Sequence, residues 1–67
     1  MAEIEWYLVW RDNAGTEQYL IMRNVGEALT WGPQAFVYVF NSQLNAEAAA
    51  DTFGGVVEPC DIYGNVL

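Results

Sequence analysis

The chain has 67 residues, enough for one domain, and a single core of this size supplies roughly 3–5 kcal/mol of net stability. Hydrophobic residues make up 54% of it and aromatic residues 15%, a content that excludes a disordered acidic tail. Nine Asp and Glu face only Arg11 and Arg23, with no His, and the formal charge of −7 repels phosphate backbones and anionic lipid heads, so neither nucleic acid nor a membrane surface is expected as a direct partner.

In chain order, Ile4, Trp6, Leu8 and Trp10 alternate with Glu5, Tyr7 and Val9, which predicts a first strand over residues 4–10 with two distinct faces. Turn formers collect over residues 11–16, with Gly15 or Asn13 free to take positive φ, and residues 17–24 resume an extended pattern. The pair reads as a β-hairpin. In its second strand Leu20 and Met22 lie opposite Tyr19, Ile21 and Arg23, so both faces are suited to cover. Gly26, Gly32 and Pro33 interrupt the pattern between residues 25 and 34, which reads as a loop returning Leu29 and Trp31 to the core.

Residues 35–40, aromatic and β-branched throughout, predict a central third strand with Phe36, Tyr38 and Phe40 on one side. Ser42 then caps a helix whose buried stripe is Ala46, Ala49, Ala50 and Phe53, and Gly54-Gly55 stops it with a left-handed residue. Gln43, Glu47 and Asp51 follow at intervals of four on its outer face. Residues 56–62 predict a last strand, which Pro59 assigns to a sheet edge or ends early. The βββαβ order gives one α+β domain over residues 1–67, a three- to four-stranded, mainly antiparallel sheet with one helix on one face. One helix leaves the other apolar face open for contact.

No apolar run approaches a membrane span, and Met1-Ala2-Glu3 lacks the basic-then-apolar opening of a signal peptide, so a cytoplasmic protein is expected. Cys60 is alone and reads as a semi-buried thiol.

The runs Phe40-Asn41-Ser42, Ala46-Glu47-Ala48-Ala49-Ala50 and Phe53-Gly54-Gly55-Val56-Val57 follow the aromatic hairpin strands Trp6-Tyr7-Leu8-Val9 and Tyr19-Leu20-Ile21 and the segment Leu29-Thr30-Trp31. Together they resemble a pattern in small phage and prophage accessory proteins. The resemblance covers most of residues 6–58 and consists of cap, helix, glycine stop and strand. It implies an inhibitor of a host polymerase, nuclease or defence complex, of the anti-CRISPR kind, acting in the host cytoplasm. The chain departs from the commoner pattern in having no Lys on the helix and a more aromatic third strand.

Enzyme chemistry is not expected. Without His there is no Ser-His or Cys-His pairing, and no glycine-rich phosphate loop is present. The pairs Glu47 with Asp51 and Glu3 with Glu5 share faces but read as solvated surface, and Asp12-Asn13-Ala14-Gly15 lacks the repeated oxygen ligands of a calcium loop. No catalytic, cofactor or metal residue is assigned. The expected site is a partner-binding surface: Glu3, Glu5, Glu47, Asp51, Glu58 and Asp61 steer the chain to a basic protein surface, with Trp6, Trp10 and Trp31 as anchors. In a DNA-mimic form the carboxylates occupy a nucleic-acid groove. The alternative is a small assembly protein, a homodimer or larger homo-oligomer packed through its open sheet face.

Overall fold

The computed structural model describes residues 6–67. The elements are β1 (Trp6–Asn13), β2 (Thr16–Ile21), β3 (Thr30–Gly32), a 3-10 turn (Gln34–Phe36), α1 (Gln43–Phe53) and β4 (Val56–Cys60). The strands form one antiparallel sheet in the order β3-β2-β1-β4, with α1 packed on one face. This is the expected α+β architecture, and β4, with its Pro59, lies at an edge.

Asn13 pairs with Thr16, which leaves a two-residue loop between β1 and β2. Its residues, Ala14 (φ 54°) and Gly15 (φ 86°), both take positive φ, as a type I′ turn requires to match the twist of the strands. The Asp12 carboxylate accepts a hydrogen bond from the Gly15 N–H at 2.9 Å. Asn13, one of the two residues expected to turn, therefore stays in the ladder, and Ala14 takes the left-handed conformation in its place.

The third strand is not where the aromatic run predicts it. Residues 30–32, expected in a loop, form β3 along β2, with the Ile21 side chain filling the space beside Gly32. β2 ends at Ile21 and not at residue 24, and β4 ends at Cys60 and not at residue 62. Meanwhile β1 and β2 pair only from Trp10 opposite Tyr19 to the turn. Below that point they diverge, and residues 37–40 fill the gap. Tyr38 N–H donates to Leu20 O at 2.8 Å, and Tyr7 and Phe40 exchange backbone bonds of 2.8 and 2.7 Å.

The run is thus central and covered on both faces, as its composition demands, but it is held by single bridges to Ile21 and Tyr7 and not by a ladder. Tyr38 and Phe40 face the helix, and Val37 and Val39 face away. Phe36, expected beside Tyr38 and Phe40, falls in the 3-10 turn and is 66% exposed. This segment and β4 both run antiparallel to β1, so α1 connects two parallel segments by crossing over β1.

Ser42 Oγ accepts the Asn45 N–H at 3.3 Å, and Gly54 ends α1 with φ 83°, donating to Ala50 O at 2.7 Å. Ala46 is fully buried, and Ala49, Ala50 and Phe53 pack around Val9, Leu20 and Phe40. Small side chains bring the helix close to the sheet. At Gly55 a Cβ would stand 2.6 Å from Val9 and 2.9 Å from the Trp10 carbonyl, too near for any side chain.

The opposite face buries Leu8, Tyr19 and Cys60, with Trp6, Trp10, Val37 and Val39 around them. It is less open than one helix implies, because residues 61–67 fold back over part of it. Asp61 organises that turn, accepting from the N–H groups of Tyr63 (2.8 Å) and Asn65 (3.0 Å) and from Asn65 Nδ2 (3.1 Å). Gly64 is buried, and a Cβ there would strike Val37.

Candidate functional site

The surface is defined by where the few cations go. Arg11 points to the helix side, where its Nε donates to Gln18 Oε1 at 2.9 Å and its guanidinium lies 4.3 Å from the Trp31 ring centre. Trp31 in turn meets Phe53 edge-on at 6.4 Å. Both residues are half-buried and engaged with the chain itself, which makes Trp31 a core residue in its packing. Arg23 is exposed and borders a small apolar pocket with Ile21, Met22, Pro33 and Phe36.

Two acidic patches remain among the described residues. The first lies on the sheet face away from α1. Strand alternation places Asp12 beside Trp10, the hairpin register sets Glu17 opposite Asp12, and Glu58 of β4 stands opposite Leu8. Trp10 Nε1 donates to Glu58 Oε1 at 3.4 Å and the Tyr19 hydroxyl to Glu17 Oε1 at 3.1 Å, so the two rings are tethered among three carboxylates. Burial first, then the Glu17 hydrogen bond and the charges of Glu17 and Glu58, push the Tyr19 phenol above its ordinary pKa of 10.0.

The second patch is the outer side of α1, where Glu47 and Asp51 stand a turn apart with exposed Leu44. Glu47 accepts from Gln43 Nε2 at 3.1 Å. Between this side of the helix and β4 runs an open groove of about 630 Å³, bordered also by Ala48, Gly55 and Val57.

Of the residues expected to bind a partner, Glu47 and Asp51 share the helix patch, while Glu58 and Trp10 share the sheet patch. Trp6 is half-buried on the sheet face beside Cys60. Asp61 is taken up by the C-terminal turn, whose N–H groups, led by that of Asn65, hold its carboxyl below the ordinary value of 3.8. Glu3 and Glu5 lie outside the described residues. Asp12, Glu17, Tyr19 and Leu44 were not singled out in the sequence. A register set by a two-residue Ala14-Gly15 turn would have brought the first three together.

Burial raises the pKa of the Cys60 thiol, with a further contribution from the Asp61 charge, so the sulfur is a packed neutral group. Among the described residues no three of His, Cys, Asp and Glu gather as a metal site, and no helix is long and apolar enough to cross a membrane. Compared with known proteins, the chain matches no family model, no curated protein and no solved structure.

Proposed function

We propose that the chain is an acidic protein-binding module that covers a basic surface on its partner, in the manner of an inhibitor of a nucleic-acid-processing or defence complex. The observation that supports this reading is the segregation of charge. Arg11 is drawn to the helix side by Trp31 and Gln18, and Asp12, Glu17 and Glu58 surround two aromatic rings on the other. Like charges placed opposite one another, as Asp12 and Glu17 are, cost stability in the free protein and become favourable only against a cationic surface. Trp10 and Tyr19 supply contact area between them. The phage-type identity rests on the sequence resemblance, and a cytoplasmic target accords with it.

The test is affinity purification from bacterial lysate with the captured protein identified. A nuclease, polymerase or defence subunit with a basic groove, retained at about 0.05 M salt and released near 1 M, is the expected result. Retention unchanged at about 1 M salt, where the screening length is roughly 3 Å, rejects an electrostatic surface and with it the DNA-mimic form.

Self-assembly is the second reading, favoured by exposed Ile62, Tyr63, Val66 and Leu67 in the C-terminal segment. It carries the opposite salt signature. Copies of charge −7 associate better as salt screens their repulsion, so light scattering across the same salt range separates the two.

A further inference from the structure

We infer that the groove between α1 and the outer edge of β4 takes an extended basic segment of a partner protein, added to the sheet as a fifth strand beside Val57. This rests on the reading of the acidic surface as protein-binding and specifies where, and by what chemistry, one partner segment is held.

The backbone comes first. Tyr7 turns its N–H and C=O away from β4 to bond Phe40, so the alternation of an antiparallel ladder turns Trp6, Leu8 and Trp10 toward β4. Their partners Cys60, Glu58 and Val56 face β1 in return, which turns Val57 and Pro59 outward. At the lower end this outer edge is already occupied: Leu67 N–H donates to Pro59 O at 3.3 Å and Asp61 N–H to Asn65 O at 3.0 Å. Val57 is left presenting a donor and an acceptor to the edge. Strand addition uses such a pair.

The side chains then select the occupant. On the helix side an added strand would lie over Val57, Ala48 and Leu44, the last 77% exposed, with Glu47 and Asp51 reaching over it from α1. On the other side it would lie next to Glu58. Apolar side chains turned to Val57, Ala48 and Leu44 and alternating with Lys or Arg turned to the Glu58 face fit this edge, and the negative field of Glu47 and Asp51 favours such a cationic segment over a neutral or anionic one. A second copy of this chain is a poor occupant, since it brings a charge of −7, and a phosphate backbone is repelled by the same acids.

The probe is an acetylated, amidated heptapeptide of alternating Lys and Val, titrated at low salt into the ¹⁵N-labelled chain. Saturable amide shifts should concentrate on residues 44–57, with hydrogen exchange at the Val57 amide slowed about tenfold or more. The double variant Glu47→Lys with Asp51→Lys, at exposed helix positions, should weaken binding by at least roughly tenfold, while Glu27→Lys, in the exposed loop between β2 and β3, should change it by less than about twofold. Methylation of every peptide nitrogen should abolish binding by removing the strand's donors.

Equal binding of the methylated peptide overturns strand addition. Shifts centred on Trp10 and Tyr19, insensitive to the helix variant but lost in Glu17→Lys, overturn the groove and leave the wider acidic-surface reading standing. No saturable shift anywhere overturns both, and an equal response to a Glu-Val peptide overturns the role of charge.

Discussion

Ala14 is the one described non-glycine residue with positive φ, and it sits in a turn whose two central positions both need that conformation. A left-handed residue with a Cβ costs about 1–2 kcal/mol, and Asn reduces this through local hydrogen bonding. Ala14→Asn should therefore raise stability by about 0.5–1 kcal/mol in urea unfolding, with the slope unchanged. Tyr19 makes a second prediction. Its raised pKa means the folded state holds the phenolic proton more tightly than the unfolded one, so the associated stability is complete below pH 10.0 and is lost as pH rises through the folded value. Ultraviolet titration should show one tyrosine ionising late, and Glu17→Gln should bring it earlier by removing a neighbouring negative charge and leaving only a weaker, neutral acceptor for the phenol.

At the scale of elements, α1 depends on its cap, because it has no acid in its first turn and no base in its last to complement the helix dipole. Ser42→Ala should cost about 1 kcal/mol, read from the shift of the thermal midpoint. Asn45→Glu would complete a capping box with Ser42 and should recover a similar amount in the parent chain. The C-terminal turn is the acid-sensitive element. Since the Asp61 carboxyl is held below 3.8 in the fold, its contribution is present above that pH and disappears as pH falls through the folded value. Amide exchange at Tyr63 and Asn65 should accelerate in that acid range before the helix amides respond, and Asp61→Asn should show the faster exchange already at neutral pH. Uniform protection of turn and helix down to global unfolding would contradict this.

For the whole molecule, charge acts against the fold it decorates. Seven net negative charges on a chain this small repel one another, and Asp12 with Glu17 and Glu47 with Asp51 concentrate the repulsion at neighbouring sites. The screening length falls from roughly 30 Å at 0.01 M to roughly 3 Å at 1 M salt, so the free protein should become steadily more stable across that range. Thermal unfolding in sodium chloride measures it. A flat or falling midpoint would mean that the acids are compensated within the chain and would remove the physical motive for a cationic partner.

Composition and periodicity determined much of this molecule on their own. The alternation through Trp6 to Trp10 sorted the two sheet faces correctly, because a period of two needs only a regular strand. Ser42, the alanine stripe and Gly54 placed α1 to the residue, since caps and stripes are local. Pro59 pointed to an edge because it has no N–H to give to a central ladder. Tertiary structure decided the rest. That residues 37–40 wedge between diverging strands while residues 30–32 form the ladder depends on where β1 and β2 part, which is a long-range competition for backbone hydrogen bonds. The same holds for the acidic surface. Which carboxylates meet is set by register and by the fate of Arg11, and a one-residue slip of β2 against β1 would have turned Glu17 to the opposite face of the sheet from Asp12.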